Sequence, residues 1–315
     1  FGEVTWDVTD KFQLIGGARY FKENISGVQE TTHPFGGFSG SPVGPQFNSD
    51  SFSKTTFKGT ARYKFDPSLM VYATASQGFR GGGVNPANLP FASGIPKGFE
   101  PDSLWNYETG IKGRLFDNRF FYEVSAYLIN WDNIQVQEVD ATGAFPFTSN
   151  AGSARIKGVE AEFEFHPVPD LTLSLNGSYQ DAYLTEDQPP IPGNPNVGHA
   201  GDELQNVPKL QGNFTVDYTR PLTDSLKGTL AADFGYRGKT HTQLNPTSPF
   251  NVPLDSYTLI NLRAGISSDQ WSITAFVRNL TDKRAQVDAI SSSQDPLAYI
   301  TVRPRTFGVT LSRSF

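Results

Sequence analysis

Residues 171–180 read LTLSLNGSYQ. The odd positions, Leu171, Leu173, Leu175, Gly177 and Tyr179, are apolar, small or aromatic, whereas Thr172, Ser174, Asn176, Ser178 and Gln180 are all polar. Successive side chains of a strand point to opposite faces, so this stretch has one apolar face and one wet face. The pattern recurs at 226–237, where Leu226, Gly228, Leu230, Ala232, Phe234 and Tyr236 alternate with Lys227, Thr229, Ala231, Asp233, Gly235 and Arg237. Val159, Ala161, Phe163 and Phe165 alternate with Glu160, Glu162 and Glu164; Phe57, Gly59, Ala61, Tyr63 and Phe65 alternate with Lys58, Thr60, Arg62 and Lys64. Each segment separates two solvents.

Extending this reading predicts strands at 1–8, 12–26, 51–65, 69–80, 103–116, 119–138, 150–166, 171–184, 207–220, 226–240, 256–267, 271–281 and 298–315. That is about 13 strands at roughly 24 residues per strand and connection, which suits membrane β-segments of about 10 residues better than the short strands of a soluble sandwich. In 119–138 the alternation is poor, because Phe121, Tyr127, Ile129 and Trp131 interrupt the polar row. The connections alternate in length. Short ones lie at 66–68, 117–118, 168–170, 223–225 and 268–269; long ones lie at 27–50, 81–102, 139–149, 185–206, 241–255 and 282–297. Tight turns at one rim and long loops at the other describe an all-β, up-and-down antiparallel barrel of the outer-membrane type.

Composition agrees once this architecture is assumed. The 315 residues carry a net charge of −6, no cysteine and only 37% hydrophobic residues, yet 25 are Phe. A barrel strand needs only one apolar face, so mean hydropathy stays low while aromatics gather at the membrane interfaces. Without cysteine there is no disulfide scaffold and no thiolate chemistry. The acidic balance and lack of a basic run argue against a nucleic-acid partner. No apolar run is long enough for a transmembrane helix. An odd strand count cannot close a barrel of the usual even kind, so the chain reads as part of a larger barrel; alternatively 1–8 is a tail and 12 strands close by themselves.

Seven stretches then resemble a known family: VYATASQGFRGGGVN at 71–85, NYETGIK at 106–112, IQVQ at 134–137, NAGSA at 150–154 followed by GVE at 158–160, NVPK at 206–209, VRNLTD at 277–282 and PRTFGVTL at 304–311. In this order the chain resembles the C-terminal barrel region of TonB-dependent outer-membrane receptors, especially the iron-complex type. The resemblance implies a barrel of about 22 strands around an N-terminal plug, placed in the bacterial outer membrane. It also implies TonB as the energy-coupling partner and uptake of a scarce ligand, above all a ferric siderophore. Cobalamin or an oligosaccharide is the alternative cargo, and an ungated porin or adhesin scaffold the alternative class. A soluble sugar-binding β-protein is the third reading. Neither plug nor TonB box is legible, and residues 1–315 read as one portion of the barrel. No enzyme activity and no cofactor are expected, since no nucleophile constellation and no metal-ligand spacing occur.

Candidate residues follow. Glu160, Glu162 and Glu164, with Glu108, Lys112 and Arg114, are expected to line the lumen and meet the plug; a merely hydrated wall is the plain alternative. Arg80, inside Gly78-Phe79-Arg80-Gly81-Gly82-Gly83, suits an anionic siderophore through its guanidinium, although a bend into loop 81–102 is the preferred reading. Loop aromatics Phe91, Phe99, Phe145, Phe147 and Phe250, with Phe35 and Phe38, are candidates for ligand contact or for loop packing. Among His33, His166, His199 and His241, none lies between 80 and 102, which disfavours haem. Gly158 within a strand suggests a bend or close packing, and Asn279 and Asp282 suit capping of a departing loop. By resemblance, Phe307, Val309, Leu311 and Phe315 form the row read by the barrel assembly machinery, with Arg313 departing from the apolar residue usual there.

Overall fold

In the computed structural model the tight connections form because side chains satisfy what a sharp turn leaves open. Thr9 Oγ1 accepts the Phe12 N–H at 2.9 Å, and Asp66 Oδ1 accepts the Ser68 N–H at 2.7 Å. Thr223 Oγ1 accepts the Leu226 N–H at 3.1 Å, and Ser268 Oγ that of Trp271 at 3.3 Å. These are the short Asx and Ser/Thr turns that such residues favour. The turn after residue 115 takes another route: Phe116, Asp117 and Asn118 all adopt positive φ, at 54°, 55° and 64°. Asp and Asn tolerate that region; Phe does not do so readily.

The structure describes residues 1–31, 43–85, 95–141, 146–191, 193–291 and 297–313. Along them run β1 (Gly2–Asp7), β2 (Phe12–Thr31), β3 (Val43–Asp66), β4 (Leu69–Arg80), β5 (Gly83–Val84), β6 (Gly98–Phe99) and β7 (Asp102–Leu115). Next come β8 (Phe120–Asp132), β9 (Gln135–Val139), β10 (Pro146–Asn150), β11 (Ala154–Val168), β12 (Leu171–Leu184), β13 (Leu210–Pro221) and β14 (Lys227–Arg237). The last are β15 (Thr240–His241), β16 (Pro253–Leu254), β17 (Tyr257–Ser267), β18 (Trp271–Arg278), β19 (Gln286–Ile290), β20 (Ala298–Thr301) and β21 (Thr306–Arg313).

Thirteen of these make one antiparallel sheet in the order β1-β2-β3-β4-β7-β8-β11-β12-β13-β14-β17-β18-β21. The other eight pair as two-stranded ribbons, β5–β6, β9–β10, β15–β16 and β19–β20, each inside a long connection. Among the described residues no ladder joins β1 to β21, so each has one paired edge. Residues 1–8 are nonetheless wall rather than tail: Gly2–Asp7 pairs with β2 from Gly2↔Ala18 to Asp7↔Gln13.

Register carries one apolar row across the sheet. Tyr122 faces Phe163, Phe163 faces Leu175, Leu175 faces Phe214, Phe214 faces Phe234 and Phe234 faces Ile260. A one-residue slip at any ladder would turn part of this belt into the lumen, so the pattern itself specifies register. Farther along, Phe307, Val309 and Leu311 continue the outward face and are 67%, 65% and 73% exposed. Such an apolar surface, exposed on one face of a continuous sheet, is the lipid side of a membrane wall.

Two expected strands divide. The segment 119–138 becomes β8 and β9, separated at Asn133 with φ +57°. Its interrupted polar row has a physical cause: Tyr127, Ile129 and Trp131 pack on a buried apolar cluster of Ile134, Val136, Ala154, Ile156, Ala182 and Leu184, so the inner face is dry there. The segment 298–315 divides into β20 and β21 around Pro304, which has no N–H to give a ladder. The expected loop at 139–149 is in part ribbon, with Val139, Pro146, Phe147, Thr148 and Ser149 in the β9–β10 pairing.

Candidate functional site

The lumen face is built by cross-strand rows on β4, β7, β8 and β11. Met70 pairs with Lys112, Lys112 with Glu123 and Glu123 with Glu162; likewise Thr74 pairs with Glu108, Glu108 with Tyr127 and Tyr127 with Gly158. Lys112 therefore does not reach the β11 glutamates. Its Nζ lies 3.3 Å from Glu123 Oε1 and 5.3 Å above the Tyr72 ring. Tyr72 Oη donates to Glu108 at 2.7 Å and sits 3.4 Å from Glu123. Glu164 instead meets His166 Nε2 at 2.8 Å, and Arg114 lies in the row of Phe121 and Glu164. Glu160 and Glu162 make no salt bridge among the described residues. With Glu108 and Glu123 they line a polar hollow of about 590 Å³.

Sequence reasoning missed Tyr72 and Glu123. Both lie on the face that strand parity assigns to the lumen, but only the register shows that they hold Lys112 and Glu108. Tyr72 also explains a glycine: a Cβ at Gly110 would lie 2.6–2.7 Å from its ring. Gly158 does the same for Tyr127, whose Oη would be 2.6 Å from an added Cβ and which donates to Gln180 at 3.1 Å. Close packing, rather than a bend, accounts for Gly158.

At the long-connection rim Arg80 is engaged. Its Nε donates to Asp102 Oδ2 at 2.8 Å, Nη2 donates to the same oxygen, and Nη2 also reaches the Gln135 carbonyl at 2.9 Å. The guanidinium lies 4.7 Å from the Trp131 ring centroid. Asp102 is buried and accepts two backbone N–H groups as well, from Arg80 at 3.0 Å and Gln135 at 3.2 Å. The arrangement fastens β4, β7 and the β8–β9 joint together, while the arginine remains about half exposed toward the mouth. The glycines allow close approach: a Cβ at Gly82 would stand 2.6 Å from the Phe99 carbonyl.

Phe99 and Phe250 are partly exposed at this rim, whereas Phe147 is only 3% exposed. Burial makes Phe147 a packing residue of the β9–β10 ribbon. Phe91, Phe145 and Phe315, like Phe35 and Phe38, lie outside the described residues. Behind the ribbon, Glu138 accepts the Ser149 hydroxyl at 2.6 Å and the Gln188 amide, and burial pushes its pKa up. Gln188 in turn accepts the Gly198 N–H at 2.8 Å, so the ribbon is pinned to the next connection. Asn279, at φ +52°, caps the departing loop: its amide donates to Lys283 and Arg303 carbonyls, both at 2.9 Å. Asp282 accepts the Arg305 N–H at 2.9 Å, which holds its carboxyl below the usual range.

A one-sided apolar belt, a polar inner wall, tight turns at one rim and folded connections at the other define an outer-membrane β-barrel wall. Residues 1–280 match the family described as TonB dependent receptor-like, beta-barrel, and the chain belongs to that family, whose members reside in the bacterial outer membrane. It is 26% identical over 333 residues to the pesticin receptor of Yersinia pestis, covering 100% of this chain and 43% of that protein. It is 26% identical over 255 residues to the metal-pseudopaline receptor CntO of Pseudomonas aeruginosa, covering 76% of this chain and 32% of that one. Its fold matches the ferric yersiniabactin uptake receptor FyuA of Yersinia pestis with a TM-score of 0.77 at 19% identity, over 98% of this chain and 44% of that one. The chain thus spans less than half the length of these relatives.

Proposed function

We propose that this chain is the C-terminal wall of a plugged barrel of about 22 strands that imports a ferric siderophore by TonB-coupled gating. The observation that carries this reading is the acidic inner wall: among the described residues Glu160 and Glu162 make no salt bridge, and they line a polar hollow opposite a lipid-facing belt. A water-facing wall gains nothing from adjacent like charges, whereas a basic plug surface would be held by them. Glu108, Lys112, Arg114 and Glu164 belong to the same inner rows and meet the plug with them. The partly exposed Phe99 and Phe250, with Arg80 and Phe147 at the mouth and with Phe91 and Phe145 from outside the described residues, are the residues of this chain from which ligand contacts are drawn. For Arg80 such contact uses the donors that Asp102 leaves open; for Phe147 it requires the ribbon to open. The two sheet edges pair with the remaining strands of the barrel, since an open edge has no partner in lipid. The outward row of Phe307, Val309 and Leu311 on β21, with Phe315 outside the described residues, is what the assembly machinery reads.

The name of one relative, a receptor for metal-pseudopaline, supports a chelated-metal cargo. Covalent catalysis has no place in this scheme. The test is uptake of radiolabelled ferric siderophores by cells carrying the full-length receptor, with and without TonB. Accumulation that depends on both TonB and receptor is expected; accumulation of cobalamin or an oligosaccharide instead would replace the cargo and keep the gating. Glu162→Lys is expected to alter plug retention and uptake together, and unchanged values for both would remove the plug-facing role.

A further inference from the structure

The lipid face carries a second built feature, at the short-turn rim. Two outward rows cross there: Tyr218, Leu230, Ala264 and Ala275 in one, and Arg220, Gly228, Ile266 and Ile273 in the next. Gly228, Ala264 and Ala275 are small residues set among large ones, and the step in side-chain height leaves an outward-facing apolar trough of about 660 Å³. Leu222 leans over the missing side chain: its Cδ1 is 3.1 Å from where a Gly228 Cβ would stand. Trp271 borders the trough and is 40% exposed.

One residue of the trough breaks its apolar character. Arg220 is exposed and stands in the lipid-facing row, one residue before the strand ends at Pro221. It interacts with the Tyr218 hydroxyl and with Asp170 of the neighbouring turn. Arg313 occupies the outward position directly across from Trp271, so a second cation shares this rim. Tyr and Trp at this height mark the headgroup level, and a guanidinium there meets phosphate rather than hydrocarbon. An apolar trough that ends in a guanidinium has the complement of a single-chain segment beneath an anionic head.

We propose that this trough is a site for an anionic phospholipid of the periplasmic leaflet, one acyl chain lying over Gly228, Ala264 and Ala275 and the phosphate at Arg220. Short turns of outer-membrane barrels face the periplasm, which sets the leaflet. Charge selects the lipid; the small residues seat its chain.

Native mass spectrometry of the detergent-solubilised full-length receptor tests this, with phosphatidylglycerol and phosphatidylcholine of identical chains as probes. Phosphatidylglycerol should be retained about five-fold better, the preference expected of one basic residue at an anionic headgroup. Arg220→Gln should abolish the preference and Arg220→Lys should keep most of it. Gly228→Leu, which fills the trough, should lower retention of both lipids without changing their ratio. Arg155→Gln, on the same outward face at the opposite rim, is the control and should change nothing. Inorganic phosphate in excess should not displace the lipid. Equal retention of the two lipids by the wild type, a preference surviving Arg220→Gln, or displacement by phosphate alone would each overturn the proposal.

Discussion

The wall and the mouth of this protein are held by different physics. In the wall, from β7 to β14, each residue is placed by parity: backbone ladders close between neighbours, and the outward row needs only to be apolar. At the mouth, the ribbons and the 185–206 connection pack like a small soluble core. Leu184 and Ala151 are fully buried and Ile134, Val136, Leu204 and Leu244 gather around them. The water-lined part of the inner face therefore tolerates polar change that the outer face does not, except where a side chain packs closely, as Tyr72 does on Gly110 and Tyr127 on Gly158. The mouth is sensitive to the shape of single side chains.

The largest effect is expected at the mouth. Leu184→Ala should cost roughly 2–5 kcal/mol of local stability, read as faster hydrogen exchange at 135–150 and 185–204 while the amides of β12–β14 stay protected. Loss of protection throughout the wall would show that mouth and wall are one cooperative unit. Next, Leu175→Arg in the middle of the outward row should cost about 2–4 kcal/mol in lipid vesicles, measured by urea titration of refolding. Its lumen-facing neighbour Asn176→Arg should stay within about 0.5 kcal/mol, and equal costs would break the assignment of faces.

A smaller effect is expected for Asp102→Ala. Removing a buried partner is normally severe, but Arg80 is half exposed and water can take its charge, so about 1–2 kcal/mol remains. Exchange at the Gln135 amide, which now donates to Asp102, is the local readout. The smallest effect concerns Glu138. Its folded pKa is raised by burial, so its contribution is fully present below the ordinary glutamate pKa and is lost as pH rises through the folded value. Limited proteolysis of the β9–β10 ribbon should quicken over that rise, and Glu138→Gln should flatten the dependence. A profile identical in wild type and variant would exclude Glu138 as its source.

Particular residues show where reading from sequence succeeds and where it stops. Glu160, Glu162 and Glu164 announce their common face through a period of two, and the wall places them so. Turn residues such as Asp66, Thr223 and Ser268 mark the short rim by chemistry local to a few positions. In contrast, nothing near Arg80 names Asp102 as its partner, since the two are 22 residues apart and meet only through the β4–β7 register. Phe147 looks like any loop aromatic, and its burial depends on a ribbon that closes with β9. The irregular row of β8 carried a legible signal: apolar residues in a lumen-facing row mark where connections fold back over the wall.

By itself the sequence determined that this protein is a two-faced antiparallel wall with tight turns at one rim, because facing and turning depend on the geometry of adjacent residues. Only the tertiary structure decided which long connections are folded, which charges are engaged, and that Gly228, Ala264 and Ala275 open a trough beneath Arg220. Those outcomes rest on side chains from strands far apart in sequence, brought level by register, and no local pattern encodes their contact.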